Sequence, residues 1–254
     1  MPLALELDNF NRERRELTRI SQEEVSLQIN SGPSIGHLLL AYGTRFSPGI
    51  IGLLASRLVE KHYRPAIVVA IEGDLGRGSA RSIPEFNITS ALEECQDLLI
   101  QFGGHPRAAG FTILSRNIIA LRKRLQAIAK RHLAHLSPRP TINIDAHVRL
   151  SSLNEENLRF FQNLAPYGEA NPTPIFITKG VKVMEALRIG AHVQHMKFRL
   201  KQGDVTWDAV AFGHADTWQG NANTLDVVYS VGLNQWRGRS NLRMVIQDLR
   251  PAKG

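Results

Sequence analysis

The chain has 254 residues, 43% hydrophobic and 21% charged, a balance that fits a soluble globular protein and excludes a disordered or fibrous one. Lys and Arg number 31 against 23 Asp and Glu, for a net charge of +8. A basic field of that kind raises encounter rates with polyanions and supplies sequence-independent affinity for nucleic acid. The single cysteine, Cys95, excludes an internal disulfide and a cysteine-rich zinc site and points to a reducing compartment. No apolar run is long enough for a membrane span and no signal-peptide pattern opens the chain, so a cytoplasmic location and no membrane partner are expected.

Leu3 to about Ile29 reads as one long helix, with Leu3, Leu7, Phe10 and Leu17 near a single stripe. It looks like a connector, residues 1–34, broken by Ser31-Gly-Pro-Ser34. An α/β domain is expected over 35–136. Its elements are a buried strand at Leu38–Tyr42, a helix opened by Ser47-Pro48, and a β-branched strand at Ala66–Ile71. A polar strand at Arg77–Ile83 and a helix over Ile88–Ile100, capped by Asn87 or Thr89, follow. A glycine–histidine turn at Phe102–Gly110, a strand at Phe111–Leu114 and a helix from about Ser115 to Leu136 complete it.

Ser137-Pro-Arg-Pro140 marks a boundary, and 137–174 reads as a linking segment with a strand at Thr141–Leu150 and a helix at Ser152–Leu164. Over 175–254 the texture becomes five strands, near Ile175–Leu187, Val193–Lys201, Thr206–Phe212, Leu225–Leu233 and Asn241–Leu249. The stretch Gly213–Asn223 has room for one helical turn. This pattern fits a mainly β, OB-like barrel, a fold that binds oligonucleotides; a β-sandwich fragment fits the spacing nearly as well.

Three clusters carry candidate chemistry. In Phe102–Gly110, Gly103 and Gly104 permit unusual backbone and close approach, while His105 and Arg107 stand where an anion can be held. A tight turn with a merely solvated histidine satisfies the same residues. In Gly76–Ser82, Ser79 and Arg81 lie two apart, so on a strand a hydroxyl and a guanidinium face one side and form a phosphate clamp. On the barrel, Lys197, Arg199 and Lys201 share one strand face, and Trp236, Arg237 and Arg239 sit in a loop suited to base stacking and cationic contact. A solvated outer face and a tryptophan packed on the rim account for them as well. The His132/His135 and His192/His195 pairs lack further ligands, and no Asp-His-His run occurs, so no metal is expected in these residues.

With both glycine clusters in view, the chain resembles the RecJ-like single-strand-specific 5′→3′ exonucleases of the DHH phosphodiesterase superfamily. Gly103-Gly-His-Pro-Arg-Ala-Ala-Gly110 matches the Gly-Gly-His-x-x-Ala-Ala-Gly signature of the DHHA1 domain, and Gly78-Ser-Ala-Arg-Ser82 the segment before it. The helix start at Ser47–Arg57, the Asp8–Arg15 connector and the Trp236–Arg239 turn extend the match over essentially the whole chain.

The resemblance implies that Ser79 and Arg81 recognise the 5′-phosphate end and that His105 reaches the scissile or adjacent phosphate, with Ser82, Gly103 and Gly104 in the same phosphate-binding set. It also implies that the OB-type domain grips single-stranded DNA through Lys197, Arg199, Lys201, Trp236, Arg237 and Arg239. In the family a DHH domain bearing Mn²⁺ or Mg²⁺ precedes the connector helix and is not represented in these residues. The implied role is therefore the DNA-binding, end-recognising part of an exonuclease of DNA repair and recombination, with catalysis dependent on a separately supplied DHH domain. A non-catalytic single-strand-binding module and a relative of short-oligonucleotide or cyclic-dinucleotide phosphodiesterases remain alternative readings.

Overall fold

The computed structural model describes residues 2–31, 35–154, 156–157, 163–168, 170–191, 193–216, 218, 220, 222–236 and 239–252. It divides into two compact units at Pro140/Thr141.

The first unit opens with helix α1 (Pro2–Asn30). Its buried residues are Thr18, Ser21, Val25 and Ile29, at helical spacing along its second half. Leu3, Leu7, Phe10 and Leu17, the stripe expected from hydropathy, are all exposed. The helix packs by its C-terminal turns, where small polar side chains let it lie close to the sheet. There Gln28 brackets strand β1 (Leu39–Gly43), donating from Nε2 to Tyr42 O at 2.9 Å and accepting from Tyr42 N at 3.1 Å. That pair satisfies an edge strand's open backbone groups.

The chain continues through α2 (Ile51–His62), β2 (Ala66–Glu72), β3 (Leu75–Arg81), α3 (Ile88–Glu93), β4 (Leu99–His105), β5 (Ala108–Leu114) and α4 (Ile118–Leu133). The strands form one sheet in the order β1-β2-β3-β5-β4, parallel at β1–β2 and antiparallel elsewhere. One face, with Leu40, Ile67, Val69, Ala80, Phe111 and Ile113, is buried beneath α3 and α4. The other, with Leu39, Ala41, Val68 and Ala70, packs against Leu54, Ala55 and Leu58 of α2. Ile118, Leu121, Leu125 and Leu133 give α4 a continuous buried stripe, each side chain contributing roughly 1.5–3 kcal/mol by removal from water.

Two expectations need correction here. The helix from Ile88 stops at Glu93, after which a 3-10 turn over Gln96–Leu98 leads directly into β4. Asn87 is the cap, its Oδ1 accepting from the backbone N–H groups of Thr89 at 3.1 Å and Ser90 at 3.2 Å. The glycine–histidine segment is then a β-hairpin, β4 and β5 joined through Pro106 and Arg107. Glycines are rare in strands, which is why Gly103 and Gly104 read as a turn.

In the second unit β6 (Ala146–His147) pairs parallel to β7 (Phe176–Ile189), followed by β8 (His195–Gln202), β9 (Val205–Ala211), β10 (Thr224–Trp236) and β11 (Arg239–Pro251). The order β7-β8-β9-β11-β10 closes on itself through β10–β7, with β9 and β11 parallel. That is the five-stranded Greek-key barrel of OB folds, not a sandwich fragment. Only Ala146–His147 of the expected Thr141–Leu150 strand is paired, and most of the expected helix at Ser152–Leu164 lies outside the described residues. After β9 one helical turn forms, Trp218 N–H donating to His214 O at 3.0 Å.

The barrel core holds Phe176, Met196, Phe198, Leu200 and Tyr229. Thr178 Oγ1 donates to Val148 O at 2.9 Å. Its one proton thus used, the hydroxyl accepts from Tyr229 Oη at 2.8 Å. Burial pushes the Tyr229 phenol up to about 12, the Thr178 bond opposing only part of that rise.

Candidate nucleic-acid interface

Across antiparallel strands, residues directly opposite one another share a face. On the sheet of the first unit this sets three rows side by side: Arg81–Ala108–His105, Ser79–Gly110–Gly103 and Arg77–Thr112–Gln101. All lie on the face that α2 packs against, its first turn reaching β3 and leaving β5 and β4 open. Arg81 and His105 stand on one row, two strand spacings or about 10 Å apart at the backbone, with only Ala108 between them. The Arg81 guanidinium is held by its Nη1, which donates to Ser79 Oγ at 3.2 Å and to Ala80 O at 2.9 Å. A Cβ on Gly52, in the first turn of α2, would lie 3.2 Å from both Arg81 Nη2 and Ser79 Oγ. Glycine at that place lets the helix start approach the pair, and the positive end of the helix dipole adds to its field.

The hairpin tip carrying His105 is tied down from three sides. Thr89 Oγ1 donates to His105 O at 2.7 Å. Ile88 N–H donates to Pro106 O at 3.0 Å and Ser82 N–H to Arg107 O at 2.9 Å. The His105 side chain is exposed on this anchored backbone.

Ser82 does not join the row. It is buried and its hydroxyl donates to Phe86 O at 2.6 Å, which makes it a structural link beneath the sheet rather than a phosphate contact. Gly104 serves the backbone: its φ is +150°, and a Cβ there would meet Ala108 O at 2.3 Å. Gly78 serves the core, since a Cβ there would fall 2.1 Å from the Phe111 ring. Gly103 is open and exposed.

On the barrel, Met196, Phe198 and Leu200 of β8 are buried, while Lys197 and Arg199 are exposed and Lys201 is half-buried. These cations all lie on β8, the second strand of the barrel, part of the face that OB folds use for oligonucleotides. Arg199 is directly opposite Asp208 of β9. Asp208 sits 3.6 Å from Arg199 Nε and 3.8 Å from Lys197 Nζ, surface pairs each worth at most about 1 kcal/mol. Trp236 and Arg239 end the paired strands β10 and β11; their side chains, and Arg237 entirely, lie outside the described residues.

Comparisons with known proteins decide what kind of molecule carries these surfaces. Residues 36–131 match the DHHA1 domain and residues 144–248 the RecJ OB domain. The single-stranded-DNA-specific exonuclease RecJ of Bacillus subtilis is 31% identical over 251 residues, 97% of this chain and 32% of that protein. The chain belongs to the RecJ family. RecJ of Escherichia coli is 26% identical over 98% of this chain and 45% of its own length. The crystal structure of RecJ in complex with Mn²⁺ from Thermus thermophilus matches with a TM-score of 0.78 at 27% identity, covering 100% of this chain and 36% of that one. The chain thus spans from about a third to under half the length of the RecJ relatives it matches.

RecJ of Thermus thermophilus has been crystallised with Mn²⁺ and with Mg²⁺. Among the described residues of this chain no three His, Cys, Asp or Glu side chains gather into a metal-binding group. Among the described residues, the donors required by a two-metal phosphodiesterase are therefore not assembled. No described helix is long and apolar enough to cross a membrane.

RecJ-type sequence signatures drew attention to Ser79, Arg81 and His105 but passed over their neighbours. Arg77, Gln101 and Thr112 join the same sheet face through register alone, which no local motif encodes. On the barrel, exposed Phe212 carries Arg243 over its ring, 5.6 Å from the centroid, and His195 at its edge, 5.2 Å away. His195 Nδ1 accepts from Gly213 N–H at 3.0 Å, fixing the ring's orientation. The alternation of β8 puts His195 on the face of Lys197, Arg199 and Lys201, and that alternation was the available signal.

Proposed function

We propose that this chain is the single-stranded-DNA-binding and 5′-phosphate-recognising part of a RecJ-type exonuclease. The observation that carries the reading is the in-register row Arg81–Ala108–His105 with Ser79 beside it. Two donor-bearing side chains flank a small residue on an exposed sheet face, with the guanidinium already oriented by its neighbours. A phosphate monoester bound there gains charge-assisted hydrogen bonds from Arg81, Ser79 and His105. Lys197, Arg199 and Lys201 on the barrel neutralise phosphates of a strand without reading its sequence, and Phe212 adds an aromatic edge for a base.

Hydrolysis, in this reading, depends on Mn²⁺ or Mg²⁺ ligands of a DHH domain, whether on the same polypeptide or a separate one. The role belongs to DNA repair and recombination in the cytoplasm. The decisive experiment measures binding of the 254-residue chain to oligonucleotides ending in a 5′-phosphate or a 5′-hydroxyl, by fluorescence anisotropy. Tighter binding of the phosphorylated end, abolished by Arg81→Ala, is expected. Equal binding of both ends would remove the end-recognition assignment. The same chain incubated with Mn²⁺ and a phosphorylated single strand should leave it intact until a DHH domain is added.

A further inference from the structure

The β1 edge of the first unit's sheet carries a histidine whose chemistry the fold does not use. His37 is half-buried just before β1. It stands at the opposite sheet edge from β4 and His105, four strand spacings or about 19 Å away. Its Nδ1 is buried with no hydrogen-bond partner, the one such side-chain atom among the described residues. Buried N–H groups without a partner are rarer than under-used acceptors, so the proton of the neutral ring belongs on Nε2. That nitrogen is not buried in this way, and it offers its N–H outward.

Two cations are brought to this imidazole from different elements. Leu39 N–H donates to Pro65 O at 2.8 Å, which docks Arg64 beside the segment that carries His37. On the other side Gln126 of α4 donates from Nε2 to Leu38 O, and a Cβ on Gly36 would fall 2.7 Å from that amide. Lys130 lies one helical turn beyond Gln126. Burial holds the His37 imidazole below its ordinary range, and the charges of Arg64 and Lys130 push the same way. Neither cation has a carboxylate in salt-bridge reach among the described residues.

Helix α4 shows that the lack of acids is selective. Along one flank its arginines are matched, Arg124 by Asp97 and Arg131 by Glu94. Along the other, Lys123 and Lys130 are exposed, seven residues apart and so on one face. Lys123 also has no carboxylate in reach among the described residues. Arg64 follows the end of α2, and Lys130 lies in the last turn of α4. A helix C-terminus carries roughly half a negative charge, so the two ends together offset about one of these two cations. Like charges held together oppose the compact state, and an anion that joins them accounts for their placement.

We infer that His37, Arg64 and Lys130 form a second phosphate site, which takes an internal phosphate of a nucleic-acid strand running along α4 past Lys123. Three side chains that remain in contact with water hold a free phosphate weakly. A strand gains from several such contacts at once, because each neutralised phosphate releases counterions. The site is separate from the 5′-phosphate row and does not depend on it.

The test follows the His37 ring by NMR in the full 254-residue chain. Its probes are inorganic phosphate, a 5′-hydroxyl thymidine oligonucleotide and sodium chloride at matched ionic strength. The oligonucleotide has no 5′-phosphate, so the Arg81 row has no end to recognise. It is expected to shift the His37 ring signals at a concentration at least about tenfold below that needed for inorganic phosphate, while chloride leaves them in place. Lys130→Gln, an exposed position, should weaken the response to both phosphate probes about threefold or more with melting unchanged. Lys123→Gln should weaken the oligonucleotide alone, and Arg81→Ala should alter neither. Ring signals that stay still with every probe, or move equally with chloride, overturn the site. So does a Lys130→Gln chain that responds like the parent. A response to inorganic phosphate alone leaves a small-anion site and overturns the assignment to nucleic acid. If His37 is silent while Arg81→Ala removes a preference for 5′-phosphorylated ends, this inference falls and the end-recognition reading stands. If His37 responds and Arg81→Ala removes no preference, the reverse holds.

Discussion

The two units present cations by the same device, antiparallel strands with one face buried in a core, yet they surround them differently. In the α/β unit, Arg81 is oriented by Ser79 Oγ and Ala80 O and has no carboxylate in salt-bridge reach among the described residues. On the barrel, Lys197 and Arg199 converge on one carboxylate, Asp208. A fixed, unopposed guanidinium recognises one group at one place. A pair of flexible cations already shared with an acid holds a strand weakly at many places and yields easily to salt. In the proposed reading, that contrast separates recognition of an end from the tracking of a strand.

The largest effect comes from taking the barrel away. Phe198 is fully buried and packs edge-on to Trp218, ring centroids 5.2 Å apart. Phe198→Ala should cost about 3–5 kcal/mol, enough to melt the barrel at moderate temperature. Calorimetry and limited proteolysis should then show a lost or lowered transition for residues after Pro140. Binding of a 5′-nucleotide by the first unit should persist. Loss of both together would mean that the two surfaces do not act separately.

Alkaline pH separates the units by chemistry. Burial raises the Cys95 thiol from the ordinary 9.0 to about 11 and the Tyr229 phenol from 10.0 to about 12. Both groups are neutral below their unfolded values, so their contribution is whole there and is lost as the unfolded chain alone ionises. For the α/β unit that window is pH 9 to about 11; for the barrel it is pH 10 to about 12. Each rise bounds the loss at ~3 kcal/mol. Stability followed by denaturant unfolding should fall first in the α/β unit, and Cys95→Ala should remove its early decline. The same burial predicts that Cys95 resists alkylation at mildly alkaline pH until the unit unfolds.

How much of this was legible in sequence depended on whether the signal was local. The barrel strands were readable because residues such as Met196, Phe198 and Leu200 alternate with Lys197 and Arg199, and one buried face imposes that period. The α/β hairpin escapes a local reading because Gly103 and Gly104 look like a turn, whereas strand pairing with β5 overrides their low propensity. The connector stripe misleads for the converse reason. Leu3, Leu7 and Phe10 have the hydropathy of a core, but contact follows Thr18, Ser21 and Val25, which are small enough for close approach. In the site, Ser79 and Arg81 were visible at a spacing of two. Their partners Thr112 and Gln101 arrive through long-range register, and Ser82 looked equivalent until its hydroxyl was seen to face Phe86.

Arg81→Ala probes the end-recognition half of the contrast. A charge-assisted hydrogen bond contributes about 1.5–3 kcal/mol, so a loss of at least about tenfold in preference for a 5′-phosphate over a 5′-hydroxyl is expected by anisotropy. The loss should change little with salt, because a fixed contact at close range is screened less than a diffuse one. A uniform weakening of both ends would assign Arg81 to backbone tracking and erase the distinction between the units.

The smallest effect is the most pointed, because it goes the other way. Asp208→Asn keeps the size of the side chain on β9 and removes the charge shared by Lys197 and Arg199, which are about half exposed with it. The pairs are worth at most about 1 kcal/mol to stability, so the melting temperature should move little. Affinity for single-stranded DNA should rise by a factor of a few, since two cations no longer leave a carboxylate to meet phosphate. The slope of log affinity against log salt should steepen towards one additional released counterion. The 5′-phosphate preference should stay where it was, because Asp208 has no part in that row. If affinity and slope are both unchanged, Lys197 and Arg199 are a solvated outer face, and the barrel's contact with DNA has to be sought around Phe212 and Arg243.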